Sequence, residues 1–160
     1  MGDSTEDRAK AAKLPDGDLV AILYTQHALV KELMDQIESA SGDARSQLFT
    51  QLTTAVKAHE TAEESIVRPV TMQAGADDVA KARNAEEAEA SKVIAALEQL
   101  DVDSDEFDTE SAKFKQAVTD HAEAEEHEEF PTLQANRSDE QRQRLGKDFL
   151  AEFHAAGGKG

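Results

Sequence analysis

Apolar residues recur at alternating intervals of three and four along most of the chain, which is the pattern of amphipathic helices. The pattern predicts four long helices, separated by short stretches rich in Gly, Asp and Ser. Pro69 and Pro131 are expected to end the second and fourth helices, because proline has no backbone N–H to donate. The predicted helices cover residues 18–40, 43–69, 77–100 and 105–130.

A shorter fifth helix is predicted to begin at Ser138, because Ser138-Asp139-Glu140-Gln141 resembles a capping box. Both ends of the chain are polar. Residues 1–14 are therefore predicted to be a disordered N-terminal segment and residues 156–160 a flexible tail. One domain, spanning residues 15–155, remains between them.

Long helices joined by short loops pack as antiparallel neighbours. The prediction is an all-α fold, an up-down-up-down antiparallel four-helix bundle made of two pseudo-symmetric αα-hairpins, with the short fifth helix at the C-terminus. Composition agrees with this prediction, since aromatic residues make up only 4% of the chain and there are only 3 Pro.

One short motif occurs in both hairpins. His59, Ala62, Glu63, Glu64 and Pro69 return with the same residue types 62 positions later, as His121, Ala124, Glu125, Glu126 and Pro131. A His and a Glu four residues apart lie about 40° apart around a helix, so both side chains can reach one partner. The shared distance to the proline places both pairs at similar depths in their helices.

These pairs occupy seams that are otherwise apolar, and His27 fills a seam position of the first helix. Ionised carboxylates are costly to bury unless they are paired or bound to metal. The sequence shows no Lys or Arg on these seams near Glu63 or Glu125, which favours a metal site. The alternative interpretation is a pair of hydrogen-bonded core histidines, with glutamates that reach solvent at the bundle edge.

The third helix should supply the counterpart of His27. When the apolar spacing that follows His27 is slid along this helix, Glu87 gives the best match, while Glu86 and Glu89 remain alternatives. Glu64 and Glu126 lie five residues after each motif histidine, so we expect them to face outward. The candidate metal ligands are His27, His59, Glu63, Glu87, His121 and Glu125.

The chain has no Cys, which excludes thiolate metal sites. Nitrogen and carboxylate oxygen ligands suit iron or manganese, with zinc as a further alternative. Two carboxylates on adjacent helices can bridge two metal ions, as they do in di-iron carboxylate bundles.

This arrangement resembles the hemerythrin-like, or HHE cation-binding, family over residues 18–131: a His on the first helix, His-x-x-x-Glu on the second and fourth, and a ligand on the third. The resemblance implies two non-haem iron ions bridged by Glu63 and Glu125. His27 and His59 would bind one iron, and Glu87 and His121 the other.

The third helix departs from the pattern of the oxygen-carrying members, which have two histidines there, four residues apart. This chain has Glu87 and Ser91 at those places. Three histidines and three carboxylates form a harder, more anionic ligand set, which favours the ferric state over reversible oxygen carriage.

The sequence thus predicts a di-iron protein that reacts with or senses dioxygen, peroxide or nitric oxide, by oxidase-type or peroxide-type chemistry or in a stress response. Whether it turns over as an oxidoreductase stays open. The alternative functions are iron binding, storage or delivery without redox turnover, and a scaffold that binds no metal.

Charge narrows the class of partners. The chain carries 34 acidic and 17 basic residues, a formal net charge of −17, and such a surface repels nucleic acid and anionic membranes. There is no apolar run long enough for a membrane span and no secretory signal pattern at the N-terminus, so the expected location is the cytoplasm. The sequence leaves the oligomeric state open.

Overall fold

A computed structural model describes residues 4–159 of the chain, and within that range it contains helices and turns but no strand. The helices are α1 (Ser4–Ala12), α2 (Leu19–Ser39), α3 (Gly42–Ala62), α4 (Arg68–Gln73), α5 (Asp77–Glu98), α6 (Asp105–Ala124), α7 (Phe130–Asn136) and α8 (Asp139–Ala155). Two π-helical turns, π1 (Glu63–Val67) and π2 (Glu125–Glu129), join α3 to α4 and α6 to α7. The all-α bundle predicted from the sequence is confirmed.

Contacts between side chains show that neighbouring helices run in opposite directions. His27 of α2 meets Glu126, in the continuation of α6, at one end, and Glu38 of α2 meets Lys115 of α6 nearer the other. Between α3 and α5, Lys57 pairs with Glu98, while Arg68, in the continuation of α3, pairs with Glu87. Higher residue numbers on one helix thus face lower numbers on its partner, as an antiparallel bundle requires.

The two prolines do not end their helices, contrary to the sequence prediction. Pro69 and Pro131 each lie at the start of a further helical segment, α4 and α7, directly after a π-helical turn. In each turn the backbone N–H bonds to the carbonyl five residues earlier, from Arg68 to Glu63 and from Phe130 to Glu125. Each proline thus lies in the first turn of the new segment. Backbone N–H groups there have no partner within the segment, so the missing N–H of proline costs it no hydrogen bond.

The N-terminal segment, predicted to be disordered, contains the helix α1, which packs along α2. Lys31 donates to the buried carboxylate of Asp7 at 2.6 Å, and Arg8 pairs with Glu32 at 2.7 Å. Because α1 has little apolar surface of its own, its order comes from charges on α2 that the local sequence does not reveal. Residues 1–3 lie outside the described range, as does Gly160 of the predicted flexible tail.

The last helix, α8, covers the open end of the bundle. Its first turn has the predicted capping box, in which Ser138 and Gln141 satisfy each other's backbone N–H groups. Phe149 and Phe153 of α8 join the apolar cluster formed by the start of α2 and the end of α3. Arg142 donates to the buried carboxylate of Asp18 at 2.9 Å, which ties α8 to the entrance of α2.

The core consists of two apolar clusters with a polar layer between them. One cluster is built around Leu23, Phe130 and Phe149, and the other around Leu52, Ile94, Phe107 and Phe114. His27 follows Leu23 of the first cluster and precedes Val30 of the second. The candidate ligands therefore lie at mid-height, sealed from both ends of the bundle by apolar side chains.

No helix within residues 4–159 is both long enough and apolar enough to cross a membrane.

Replacing Gly146 by Ala should destabilise the protein, although the same change stabilises an ordinary helix interior by about 1 kcal/mol. A Cβ at this position would overlap the carbonyl oxygen of Gly17 and approach Ile22 Cδ1 to 2.9 Å. Overpacking of this kind costs roughly 1–3 kcal/mol. Urea unfolding should show this loss, while Lys147→Ala, on the exposed side of the same helix, changes stability little; a stabilised Gly146→Ala would contradict the packing of α8.

Candidate metal centre

The structure brings all six predicted residues together in two overlapping groups. His27, His59, Glu63 and Glu125 form one group, and Glu63, Glu87, His121 and Glu125 form the other. Within each group, one ligand atom from every residue lies within 4.8 Å of the others. The two groups share Glu63 and Glu125, so both carboxylates would help to hold each of two cations bound here.

Each His-x-x-x-Glu pair forms the predicted contact within its own helix. The Nε2 atom of His59 lies 3.1 Å from a carboxylate oxygen of Glu63, and the same distance separates Nε2 of His121 from Glu125. The other two helices complete the groups. Nε2 of His27 lies 3.4 Å from Glu125, and Nε2 of His121 lies 3.1 Å from Glu87.

Each of the three histidines has a hydrogen-bond partner at its other ring nitrogen. His27 Nδ1 lies 2.8 Å from Glu126, His59 Nδ1 lies 2.6 Å from Gln26, and His121 Nδ1 lies 2.7 Å from Glu86. An oxygen acceptor at Nδ1 holds a proton there, so Nε2 faces inward and offers its lone pair once the ring is neutral. Metal-binding histidines are generally oriented in this way.

These contacts separate the three alternatives on the third helix. Glu87 is buried in the second group. Glu86 lies one residue away and holds His121 from outside, and Glu89 is exposed and pairs with Lys92 on its own helix. The expectation that Glu64 faces outward agrees with its exposed position. The same expectation for Glu126 is wrong, because its carboxylate lies inside against His27.

A buried arginine lies against the carboxylates, contrary to the sequence analysis, which found no basic residue near them. Arg68 is 2% exposed. Its Nη2 atom donates to Glu87 and lies 3.8 Å from Glu63 and 3.6 Å from Glu125, so one guanidinium contacts all three carboxylates of the second group.

The π-helical turn explains why helical periodicity missed Arg68. In an α-helix a residue five positions after Glu63 points about 140° away from it. In π1 the N–H of Arg68 bonds to the carbonyl of Glu63, which brings residue 68 over residue 63. The turn therefore returns the guanidinium to the side of the helix that carries Glu63.

Glu129 holds the other end of the guanidinium. Arg68 Nη1 donates to Glu129 at 2.9 Å, and the hydroxyl of Thr71 donates to the second oxygen of the same carboxylate at 2.6 Å. Glu129 is fully buried, so the side of the centre facing α4 and α7 is closed by a salt bridge.

Comparing the two halves of the repeat would have given a signal for this pair. Before the shared proline, the first half reads Val67-Arg68 and the second half reads Glu129-Phe130. Each half thus has one charged and one apolar residue, at exchanged positions and of opposite charge. Such an exchange between equivalent positions predicts a salt bridge across the pseudo-twofold axis.

Burial and neighbouring charges shift the pKa values of the ionisable groups in the centre. Burial lowers the pKa of His27, but the nearby carboxylates of Glu125 and Glu126 outweigh it and raise that pKa to about 9. Burial also lowers the pKa of His121, which the nearby carboxylate of Glu125 and a hydrogen bond with Glu87 then raise far above its usual range. Burial and the charge of Glu63 raise the pKa of Glu87. Metal-free protein therefore holds protons where a metal would supply the positive charge.

Several buried donor atoms of the centre have no hydrogen-bond partner within residues 4–159 and are free to bind a metal. Among the buried side-chain atoms of the described residues, His27 Nε2, one oxygen of Glu87 and both oxygens of Glu63 and of Glu125 lack a hydrogen-bond partner. Buried polar atoms without partners are rare in proteins. Here they converge on two points with imidazole and carboxylate donors, a set suited to iron, manganese or zinc.

A cavity of about 400 Å³ lies beside the centre, between α2, α3, α5 and α6. His27, His59, His121 and Glu125 form part of its wall, whereas the salt-bridged Arg68 and Glu129 do not line it. The cavity therefore gives a small molecule a route to the centre that does not pass the salt bridge.

Comparison with known protein families agrees with this geometry. A family model described as the hemerythrin HHE cation binding domain matches residues 18–133. The chain therefore belongs to this family, and it carries a candidate His/Glu metal site. Searches of curated proteins and of solved structures found no match.

Replacing Arg68 by Met should destabilise metal-free protein by about 3–5 kcal/mol, because removing one partner leaves buried charges unpaired. Bound metal should reduce this loss, since it neutralises the same carboxylates. Urea unfolding with and without a chelator measures both effects. Arg144→Met, which changes an exposed arginine of α8, is the matched control, and equal losses for the two variants would contradict the role of Arg68.

Metal binding should tighten as pH rises from about 6 to 8. The pKa values of His27 and His121 lie above this range, so both rings must lose a proton before Nε2 can bind a metal. Affinity should increase about tenfold per pH unit for each proton displaced. Zinc competition against a chelator, corrected for the chelator's own protonation, measures this slope, and an affinity independent of pH would refute it.

Proposed function

We propose that this protein binds two non-haem iron ions and reacts with or senses dioxygen, peroxide or nitric oxide. One observation carries the proposal: two four-residue donor groups share Glu63 and Glu125, and six of their buried donor atoms lack a hydrogen-bond partner in the described part of the chain. His27 and His59 would hold one ion, and Glu87 and His121 the other. Manganese and zinc are the alternative metals.

The iron pair would supply redox chemistry and a free coordination position for the small ligand. The chain's own residues prepare the site for it. Glu126, Gln26 and Glu86 each fix one imidazole, so that Nε2 of all three histidines faces inward. Such outer partners typically change metal affinity by about 10–100-fold.

The distribution of charge supports oxidase-type or peroxide-type chemistry, or stress sensing, over reversible oxygen carriage. The proposed ligand set has three carboxylates. Anionic oxygen donors stabilise the ferric state relative to the ferrous state. A carrier must return to the ferrous state each time it releases oxygen.

Iron binding, storage or delivery without turnover is the second candidate, and Arg68 is the observation that favours it. The guanidinium contacts Glu63, Glu87 and Glu125, so the carboxylates are partly neutralised without any metal. A protein that keeps its fold after losing iron can release iron and take it up again.

Anaerobic loading with ferrous iron, followed by separate additions of oxygen and of peroxide, distinguishes these functions. We expect two iron ions per chain, irreversible oxidation and consumption of the oxidant. Metal counts, optical spectra and an oxygen electrode provide the readouts. A stable adduct that releases oxygen under vacuum would favour carriage, and iron exchange without oxidant consumption would favour delivery.

A double variant tests the ligands themselves. His59→Ala with His121→Ala removes one nitrogen donor from each group and should abolish binding of both ions. The matched control is His127→Ala with His154→Ala, which changes two exposed histidines outside the centre and should retain the metal. Full metal retention by the first double variant would reject the assignment.

A further inference from the structure

The cavity beside the centre is much larger than a diatomic ligand needs. Its volume is about 400 Å³, whereas a buried apolar cavity of about 150 Å³ already holds benzene. Sites for small organic molecules begin at about 300 Å³. The volume alone therefore places this cavity in the range of organic ligands.

The walls of the cavity are largely apolar. Small side chains on all four helices leave this space open. In the cluster around Leu52, Ile94 and Phe107, by contrast, Phe, Leu and Ile side chains fill the bundle. The apolar wall residues are Val30, Val56, Ala85, Ala90, Val93, Ala117, Val118 and Ala122. Binding of an apolar molecule would be favoured by about 25 cal/mol of free energy for each Å² of apolar surface that it buries.

Charges around the cavity select against anions. Its polar wall residues include Glu86, Glu89 and Asp120 on α5 and α6, and of these Glu89 and Asp120 are exposed. The lysine that lines it, Lys31, donates to Asp7. An acidic opening on a chain of net charge −17 repels carboxylates and phosphates. The apolar wall favours uncharged molecules over organic cations, because a charge that enters it loses its hydration.

The position of the cavity gives the occupant a defined neighbour. His27, His59 and His121, each with Nε2 facing inward, lie in its wall together with Glu125. A molecule that fills the apolar part therefore has one end against the proposed metal ligands.

We propose that this cavity is the binding site of an uncharged, apolar organic molecule larger than a diatomic gas, held with one end against the candidate metal centre. The binding itself rests on the apolar walls. Contact with a bound metal ion rests, in addition, on the proposed function.

The neutral fluorescent probe N-phenyl-1-naphthylamine tests the binding. Its fluorescence should rise when it binds the full-length protein. Ala90→Leu on α5 and Ala117→Leu on α6 each place a larger side chain in the cavity wall, so each should weaken binding by at least about tenfold. Ala95→Leu, on an exposed position of α5 outside the cavity, makes the same chemical change and should leave binding unchanged.

Loading with different metals tests the position of the probe. Zinc has a filled d shell, whereas cobalt(II) is paramagnetic and quenches nearby fluorophores. The probe at saturation should therefore be dimmer on cobalt-loaded protein than on zinc-loaded protein, and the Ala90→Leu variant should lose this difference while keeping its metal.

The outcomes separate the two proposals. No probe binding, or equal binding by wild type and all three variants, would overturn the cavity assignment, even if two metal ions are bound. Equal fluorescence with cobalt and zinc would overturn contact with the centre. Loss of probe binding in both cavity variants, on a protein that takes up no metal, would support the cavity and reject the proposed function.

Discussion

Burial of carboxylates between two apolar clusters is the constraint on which the rest of this structure depends. Glu63, Glu87 and Glu125 lie at mid-height in a bundle that excludes water from both ends. Unpaired charges in such a place would cost several kcal/mol each. Positive charge must therefore come to them, from the guanidinium of Arg68, from protons on the histidines, or from bound cations. The carboxylates must be neutralised in both the metal-free and the metal-bound protein, but the positive charge comes from different sources.

The two π-helical turns determine which side chains face the buried carboxylates. Each begins at a shared glutamate, Glu63 or Glu125, and each is followed by a proline. The extra residue in each turn changes which side chains follow the glutamate on the inner side. Arg68 thereby reaches the carboxylates, and Phe130 packs against the ring of His27 at 5.6 Å between centroids. The same backbone feature thus places a charge in one half of the bundle and an apolar wall in the other.

Sequence reasoning predicted the parts of this protein that follow a regular period. The long helices, the capping box at Ser138 and the joining of His27, Glu87 and the two motif pairs all follow from apolar spacing and one repeat. It failed where the backbone leaves the α-helical period, at Arg68 and at the ends assigned to the prolines. It also failed where order or orientation comes from a distant helix, as for α1 and Glu126, because local composition carries no record of such partners.

The exchange of Val67-Arg68 for Glu129-Phe130 has a consequence for how such a bundle can be assembled. Two identical hairpins related by a true twofold axis would face each other with two arginines or with two glutamates, and either pair repels inside a dry core. Only two halves that differ in sequence can place one of each sign there. The salt bridge between Arg68 and Glu129 thus excludes a symmetric homodimer of half-length subunits built from either half.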